Sequence, residues 1–243
     1  MTIAAGFIDV HCHLLPGIDD GCALVDDALE CIRNLKDAGF VGSICTPHFL
    51  PTIYPENVPK FVAQRTASLQ REIDDAGLDY RLWPGAEVRL DAETTQWFER
   101  FGVPTLAGSR YVLVDYFGRF WPEFADDGIR WLIERDYKPI LAHPERMGLE
   151  EDDLKDLIDR LADAGVLFQG NLACFASGEG LKAAALAADW LLTKKYFCLA
   201  TDVHRPGHWP IRSEGLDEAR GLAGEKTLSR LLSESPRTIL GVT

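Results

Sequence analysis

The sequence is short of positive charge. It has 25 Lys and Arg against 38 Asp and Glu, a net charge of −13 over 243 residues. Nucleic-acid backbones need a basic face, so nucleic acid is not expected as a partner. Long apolar runs are missing as well. The most apolar stretch, Leu181 to Leu192, is interrupted by Lys182 and Asp189 and is too short to span a bilayer, so no membrane insertion is expected. Met1–Gly6 carries neither a basic region nor an apolar core, so no signal peptide is expected. The six cysteines form no C-x-x-C pair and mostly sit in apolar runs, which predicts free thiols in a reducing cytoplasm. No G-x-S-x-G elbow and no P-loop is present. A cysteine-dependent phosphatase would need Arg six positions after its nucleophile. Those positions hold Ile18, Ala28, Asp37, Pro51, Gly180 and His204, so that mechanism has no support.

What the chain does have is a regular alternation. Seven short β-rich runs (7–10, 41–45, 80–83, 111–116, 139–142, 166–169 and 197–200) are separated by segments, several of helical period. Helices are predicted over 25–38, 58–76, 151–164 and 179–193, with Gly39, Gly77 and Gly165 as stops and Pro59 in a first turn. Several strands are continuously apolar, as in sheets covered on both faces. Strand–helix alternation implies a parallel sheet, and 243 residues suit one α/β barrel spanning residues 1–243 as a single domain.

The polar residues fall where each run ends. His11 and His13 follow the first, with Asp20 in the next turn. His48 follows the second, Glu87 the third, and Asp115 ends the fourth. His143 and Arg146 follow the fifth, and Asp202 and His204 the seventh. The C-terminal strand ends form the catalytic face of such barrels. Residues i and i+2 of a strand share a face, so His11 and His13 project together and Cys12 away. Singly, each residue reads as a structural histidine or an ordinary turn. The clustering at one barrel end makes them a metal site. Nine candidate ligands exceed one ion and suggest two or three divalent ions. The mixed His and carboxylate set favours manganese, with iron or zinc as alternatives, over Mg or Ca. Paired ions clamp the oxygens of a phosphoryl displacement and lower the pKa of bound water.

The string Asp9-Val10-His11-x-His13…Asp19-Asp20-Gly21, with Thr46-Pro47-His48, Gly85-Ala86-Glu87, His143-Pro144-Glu145-Arg146 and Asp202-Val203-His204, resembles the PHP (polymerase and histidinol phosphatase) superfamily. It is most similar to CpsB/CapC-type protein-tyrosine phosphatases of bacterial capsule and exopolysaccharide loci. The resemblance implies a distorted (β/α)7 TIM-like barrel of PHP type. It implies one ion on His11, His13, Glu87 and Asp202, a second on Glu87, Asp115 and His143, and a third on Asp20, His48 and His204. Arg146 would hold a phosphate oxygen, and His48 or His204 would serve the leaving tyrosyl oxygen. A second phosphate binder is expected near Arg205, His208 or Arg212. The family usually carries Glu where this chain has Asp115, one methylene shorter. The implied substrate is phosphotyrosine on a bacterial tyrosine autokinase that controls polysaccharide synthesis. The alternatives are a small-molecule phosphomonoesterase of histidinol-phosphate type, a non-catalytic metal-binding interaction domain, and an amide or ester hydrolase. Phe49, Tyr54, Phe117, Phe120, Trp121 and Phe124 are candidates for a wall around a substrate ring, against the plainer reading of core packing.

Overall fold

The computed structural model describes residues 4–242. Its elements run β1 (Phe7–Cys12), α1 (Val25–Asp37), β2 (Phe40–Cys45), β3 (His48–Phe49), α2 (Pro59–Asp75), β4 (Arg81–Pro84), β5 (Glu87–Arg89) and α3 (Thr94–Phe101). They continue with β6 (Tyr111–Asp115), α4 (Glu123–Glu134), β7 (Lys138–Ala142), α5 (Glu151–Asp163), β8 (Leu167–Asn171), α6 (Leu172–Phe175), α7 (Leu181–Leu192), β9 (Cys198–Ala200), α8 (Trp209–Ser229) and α9 (Ser235–Leu240). Among the described residues, no helix is long and apolar enough to cross a membrane.

Every strand pairing is parallel, in the orders β1-β2-β4 and β3-β5-β6-β7-β8-β9. The two sheets are one. β2 and β3 are a single stave broken at Thr46-Pro47, and β4 and β5 another broken at Gly85-Ala86. Proline cannot donate to the ladder. A Cβ on Gly85 would lie 2.8 Å from Ile44 Cγ2, so the second break needs a bare backbone. Seven staves result. The last meets the first through a parallel bridge between Cys12 and Val203, with Asp202 N donating to His11 O (2.8 Å) and His13 N to Val203 O (2.9 Å). The fold is thus the expected distorted (β/α)7 barrel.

Two cores result from the alternation. Val10, Ile44, Leu113, Ile140, Ala142 and Ala200 cluster together although their staves lie around the ring, so they fill its interior just below the catalytic face. The larger cluster packs sheet against helices, including Leu154, Leu157, Ile158 and Leu161 of α5. α8 lies close on α6, because a Cβ on Gly215 would collide with the Leu172 carbonyl. All seven strands fall within two residues of their sequence expectation, as do the four expected helices. The sequence reading lacked α3, α4, α6, α8 and α9. α8 carries Pro210 and three glycines and breaks at Gly224 (φ 76°), so its apolar period is weak.

The seam is fastened by Asp9, which is fully buried. Its Oδ1 accepts from Thr201 N (3.0 Å) and its Oδ2 from Thr201 Oγ1 (2.5 Å). Burial pushes its carboxyl up to about 6 against the pull of those bonds. Asp9→Ala would strand the Thr201 amide and hydroxyl, and is expected to cost about 2–4 kcal/mol in denaturant unfolding. Wild-type stability in that variant would show that the seam does not depend on Asp9.

Candidate metal centre

The nine residues expected as ligands come from the ends of six staves and the turn after β1, and the barrel brings them to one place. β1 has a register irregularity between Asp9 and Cys12, a bulge of the kind that re-aims side chains beside active sites. Beyond it, His11 Nε2 and His13 Nε2 lie 3.3 Å apart. Cys12 points away and its Sγ faces Ile44 O at 3.5 Å. Burial pushes its thiol well above the usual range, and all six cysteines are free and buried.

Four donor atoms lie close together. Glu87 Oε2 is 3.5 Å from His11 Nε2 and 3.4 Å from His13 Nε2, and Asp202 Oδ1 is 3.4 and 3.5 Å from the same two atoms. With the 3.3 Å between the histidines, five donor–donor distances in this set lie between 3.3 and 3.5 Å. Ligands held about 2.1 Å from one cation at tetrahedral angles stand about 3.4 Å apart, so the spacing suits shared ligation.

The donor atoms face inward because their other atoms are engaged. His11 Nδ1 meets Gln169 Oε1 at 2.8 Å, and His13 Nδ1 meets Asp19 Oδ2 at 2.8 Å. Both acceptors call for a protonated Nδ1 and leave Nε2 with its lone pair toward the centre. Asp202 Oδ2 accepts from Arg146 Nη1 (2.8 Å) and Asn171 Nδ2 (2.9 Å), leaving Oδ1 free. Glu87 Oε2 and Asp115 Oδ1 are buried without a hydrogen-bond partner. Buried carboxylate oxygens of this kind call for a cation, and this donor set fits one.

Two further groups adjoin the first. Asp20, His48 and His204 gather with His13, and His143 joins Glu87 and His11. His48 Nε2 is 3.2 Å from Asp20 Oδ1, and His143 Nε2 is 3.1 Å from Glu87 Oε1. Asp115 stands apart from these groups. Its Oδ1 is 3.8 Å from His143 Nδ1 and its Oδ2 takes Arg89 Nε at 3.1 Å. His143 (φ 32°) and Asp202 (φ 51°) hold left-handed backbones, as do Ala107, Asp136, Ser177 and Lys194 away from the centre. Gly21 closes the turn after His13, where a Cβ would strike the His13 carbonyl.

Without a cation, protons share the centre. Burial lowers the His13 and His48 imidazoles, but their carboxylate neighbours outweigh it. Asp19, Asp202 and Glu87 hold His13 well above its usual range, and Asp20 and Glu87 hold His48 up to about 10. Burial and the nearby His13 drive His204 down to about 4. The His48 hydrogen bond holds Asp20 down to about 2.

A cavity of about 240 Å³ opens on the centre, lined by ligand candidates together with Arg89, Phe117 and Arg146. Of the six aromatic residues expected around it, Phe117 lines it and Tyr54 stacks on His48 with centroids 6.0 Å apart. Phe49 is buried against Trp97 and Phe98, and Trp121 and Phe124 pack on Tyr116. Phe120 lines a separate cavity. Arg205 Nε lies 2.7 Å from His208 Nε2, and neither residue lines the main cavity. Arg212 is buried and donates to the Thr201, Asp202 and His208 carbonyls, so it holds the loop after β9. The sequence reading gave no site role to Asp19, Gln169, Asn171 or Arg89. The period of two would have found Arg89 from Glu87.

Residues 7–241 match the family described as capsular polysaccharide synthesis, CpsB/CapC. The chain belongs to the CpsB/CapC family. It is 30% identical over 182 residues to the tyrosine-protein phosphatase YwqE of Bacillus subtilis (strain 168), covering 74% of this chain and 70% of that one. It is 23% identical over 242 residues to the tyrosine-protein phosphatase CpsB of Streptococcus pneumoniae, covering 96% and 98%. A crystal structure from work on those two proteins, titled as unique metal-dependent tyrosine phosphatases, superposes with a TM-score of 0.86 at 24% identity, covering 97% of this chain and 95% of that one. A lactonase from Listeria monocytogenes shares the fold at a TM-score of 0.54 and 12% identity, covering 97% and 94%.

Two outcomes are expected for this CpsB/CapC-family centre. Asp19→Asn removes the carboxylate that orients His13, and should weaken metal binding about 10–100-fold in equilibrium dialysis. Unchanged affinity would show that Asp19 is not its orienting partner. His13 and His48 carry protons at pH 7 when no cation is present and must lose them to ligate. Metal binding should therefore release protons, and affinity should rise with pH toward about 10, the value for His48. Calorimetric titration in buffers of different ionisation enthalpy measures this. Heats independent of buffer would contradict it.

Proposed function

We propose that this chain is a metal-dependent protein-tyrosine phosphatase acting on phosphotyrosine of a bacterial tyrosine kinase, and so regulating capsular or exopolysaccharide synthesis. The observation that carries this is the closely spaced, inward-facing set of His11, His13, Glu87 and Asp202, with Arg146 bonded to Asp202 at the cavity wall. Family membership and the names of the relatives supply the phosphotyrosine specificity. The reading takes residues 1–243 as one PHP-type domain working in the cytoplasm, in keeping with six free cysteines.

His11, His13, Asp20, His48, Glu87, Asp115, His143, Asp202 and His204 would hold the metal, two or three divalent ions with manganese first. Such ions supply an activated water and neutralise charge on the phosphoryl oxygens. The planar fork of Arg146 would take a phosphoryl oxygen. Phe117 is 63% exposed and lines the cavity, and it would give the substrate ring an apolar face. A tyrosyl oxygen leaves readily because its conjugate acid has a pKa of about 10, so the site has little need of a dedicated acid. That suits His204, which is neutral at pH 7, and leaves both His48 and His204 to ligation. Alkyl phosphates such as histidinol phosphate leave as a much stronger base and fit this arrangement less well.

The test is hydrolysis of phosphotyrosine peptides with added Mn²⁺, set against histidinol phosphate, by wild type and His11→Ala. Wild type should prefer the peptide. His11→Ala should lose more than the ~10–100-fold that a missing outer-sphere partner costs. Equal activity in the two proteins would defeat the metal site, and turnover of the small molecule alone would defeat the substrate.

A further inference from the structure

The cavity wall holds a second guanidinium that the metal set does not use. Arg89 lies two residues after Glu87 on β5, so the two share a face. Its partner across the ladder is Asp115. Arg89 Nε is 3.1 Å from Asp115 Oδ2, and Asp115 is its one ionic partner among the described residues. Asp115 is buried, whereas the Arg89 side chain is 31% exposed and lines the cavity beside Phe117. The ion pair holds the guanidinium beside Asp115 at the cavity wall. The two terminal nitrogens, which hydrogen-bond to no described residue, are left for whatever enters.

Arg146 is differently placed. It is already held by Asp202 Oδ2 at 2.8 Å and Glu179 Oε2 at 3.4 Å. Asp115 faces one side of the Arg89 guanidinium, and an anion entering the cavity would meet the other. The guanidinium fork matches the oxygens of a phosphoryl group. A role confined to neutralising Asp115 would not need the fork to reach the cavity. The open side of the fork therefore suits an anionic ligand in the cavity that Arg89 shares with the metal donors.

We propose that Arg89, positioned by Asp115, is a second phosphate-binding residue of this site. The proposal rests on the phosphatase reading for its substrate, and its first measurement does not. Binding of inorganic phosphate to the metal-loaded protein is followed by calorimetry for wild type, Arg89→Gln and Arg89→Lys, with metal content measured on the same samples. Arg89→Gln should weaken phosphate binding about 10–100-fold, the range for a lost charge-assisted bond, with metal content unchanged. Arg89→Lys, which keeps the charge without the fork, should fall between. On a phosphotyrosine peptide, Arg89→Gln should raise KM more than it lowers kcat. Wild-type phosphate affinity in Arg89→Gln would overturn the proposal, as would loss of metal in both variants. Failure of wild type to hydrolyse the peptide, with the phosphate result intact, would count against the phosphatase reading alone.

Discussion

Glu87 is the side chain on which the rest of the centre depends. Its carboxylate is buried and touches four imidazoles: His11 at 3.5 Å, His13 at 3.4 Å, His48 at 2.9 Å and His143 at 3.1 Å. A bare carboxylate at that depth is costly, and only positive charge compensates it. Burial raises its pKa, but the histidines overcome this and hold it well below the usual range. The charge must come from protons on the imidazoles or from bound cations. The inward-facing Nε2 atoms of His11 and His13 fit the second arrangement, because Gln169 and Asp19 already occupy their Nδ1 sides. The break at Gly85-Ala86 matters for the same reason. It starts β5 at Glu87 with its amide bonded to Pro47 O at 3.1 Å, which fixes where the carboxylate enters the barrel.

Most of this was legible in the sequence because barrel staves have simple rules. Apolar runs located the strands, and polar residues just beyond them located the face. His11-x-His13 follows from the period of two. What the sequence hid depends on contacts between staves. Gln169 and Asn171 sit two apart at the end of β8, and nothing in their local sequence says that one orients His11 and the other Asp202. Arg89 lies outside the strands read from the sequence, and its place beside Asp115 comes from the ladder between β5 and β6. Arg212 was a candidate phosphate binder in the sequence and is a buried prop for the backbone of Thr201 and Asp202. The aromatic residues were ambiguous for a similar reason. Phe49 and Phe117 each follow a candidate ligand closely, yet Phe49 is fully buried and Phe117 is 63% exposed.

The seam between β1 and β9 joins stability to the site. Asp202 donates its amide to His11 O, and His13 donates to Val203 O, so the backbones of three ligand candidates form the closing hydrogen bonds. Asp9 clamps Thr201 one residue away from Asp202. The left-handed backbone at Asp202 persists because Arg212 holds its carbonyl and Arg146 and Asn171 hold its carboxylate. The strain is spread over a network that the fold already needs.

The cysteines argue for the same chemistry from the opposite side. A thiol acts as a nucleophile only as thiolate, in an accessible and electropositive setting. Cys12 lies between two ligand candidates, the most suggestive position available, and it points into the packing between staves. Burial pushes Cys12, Cys22, Cys174 and Cys198 upward, together with a neighbouring thiol at Cys12 and Cys22. No thiol is therefore poised to take a phosphoryl group. A CpsB/CapC-family chain that hydrolyses phosphotyrosine has to activate water instead, and the side chains gathered at the barrel mouth are of the kinds that can hold ions able to do so.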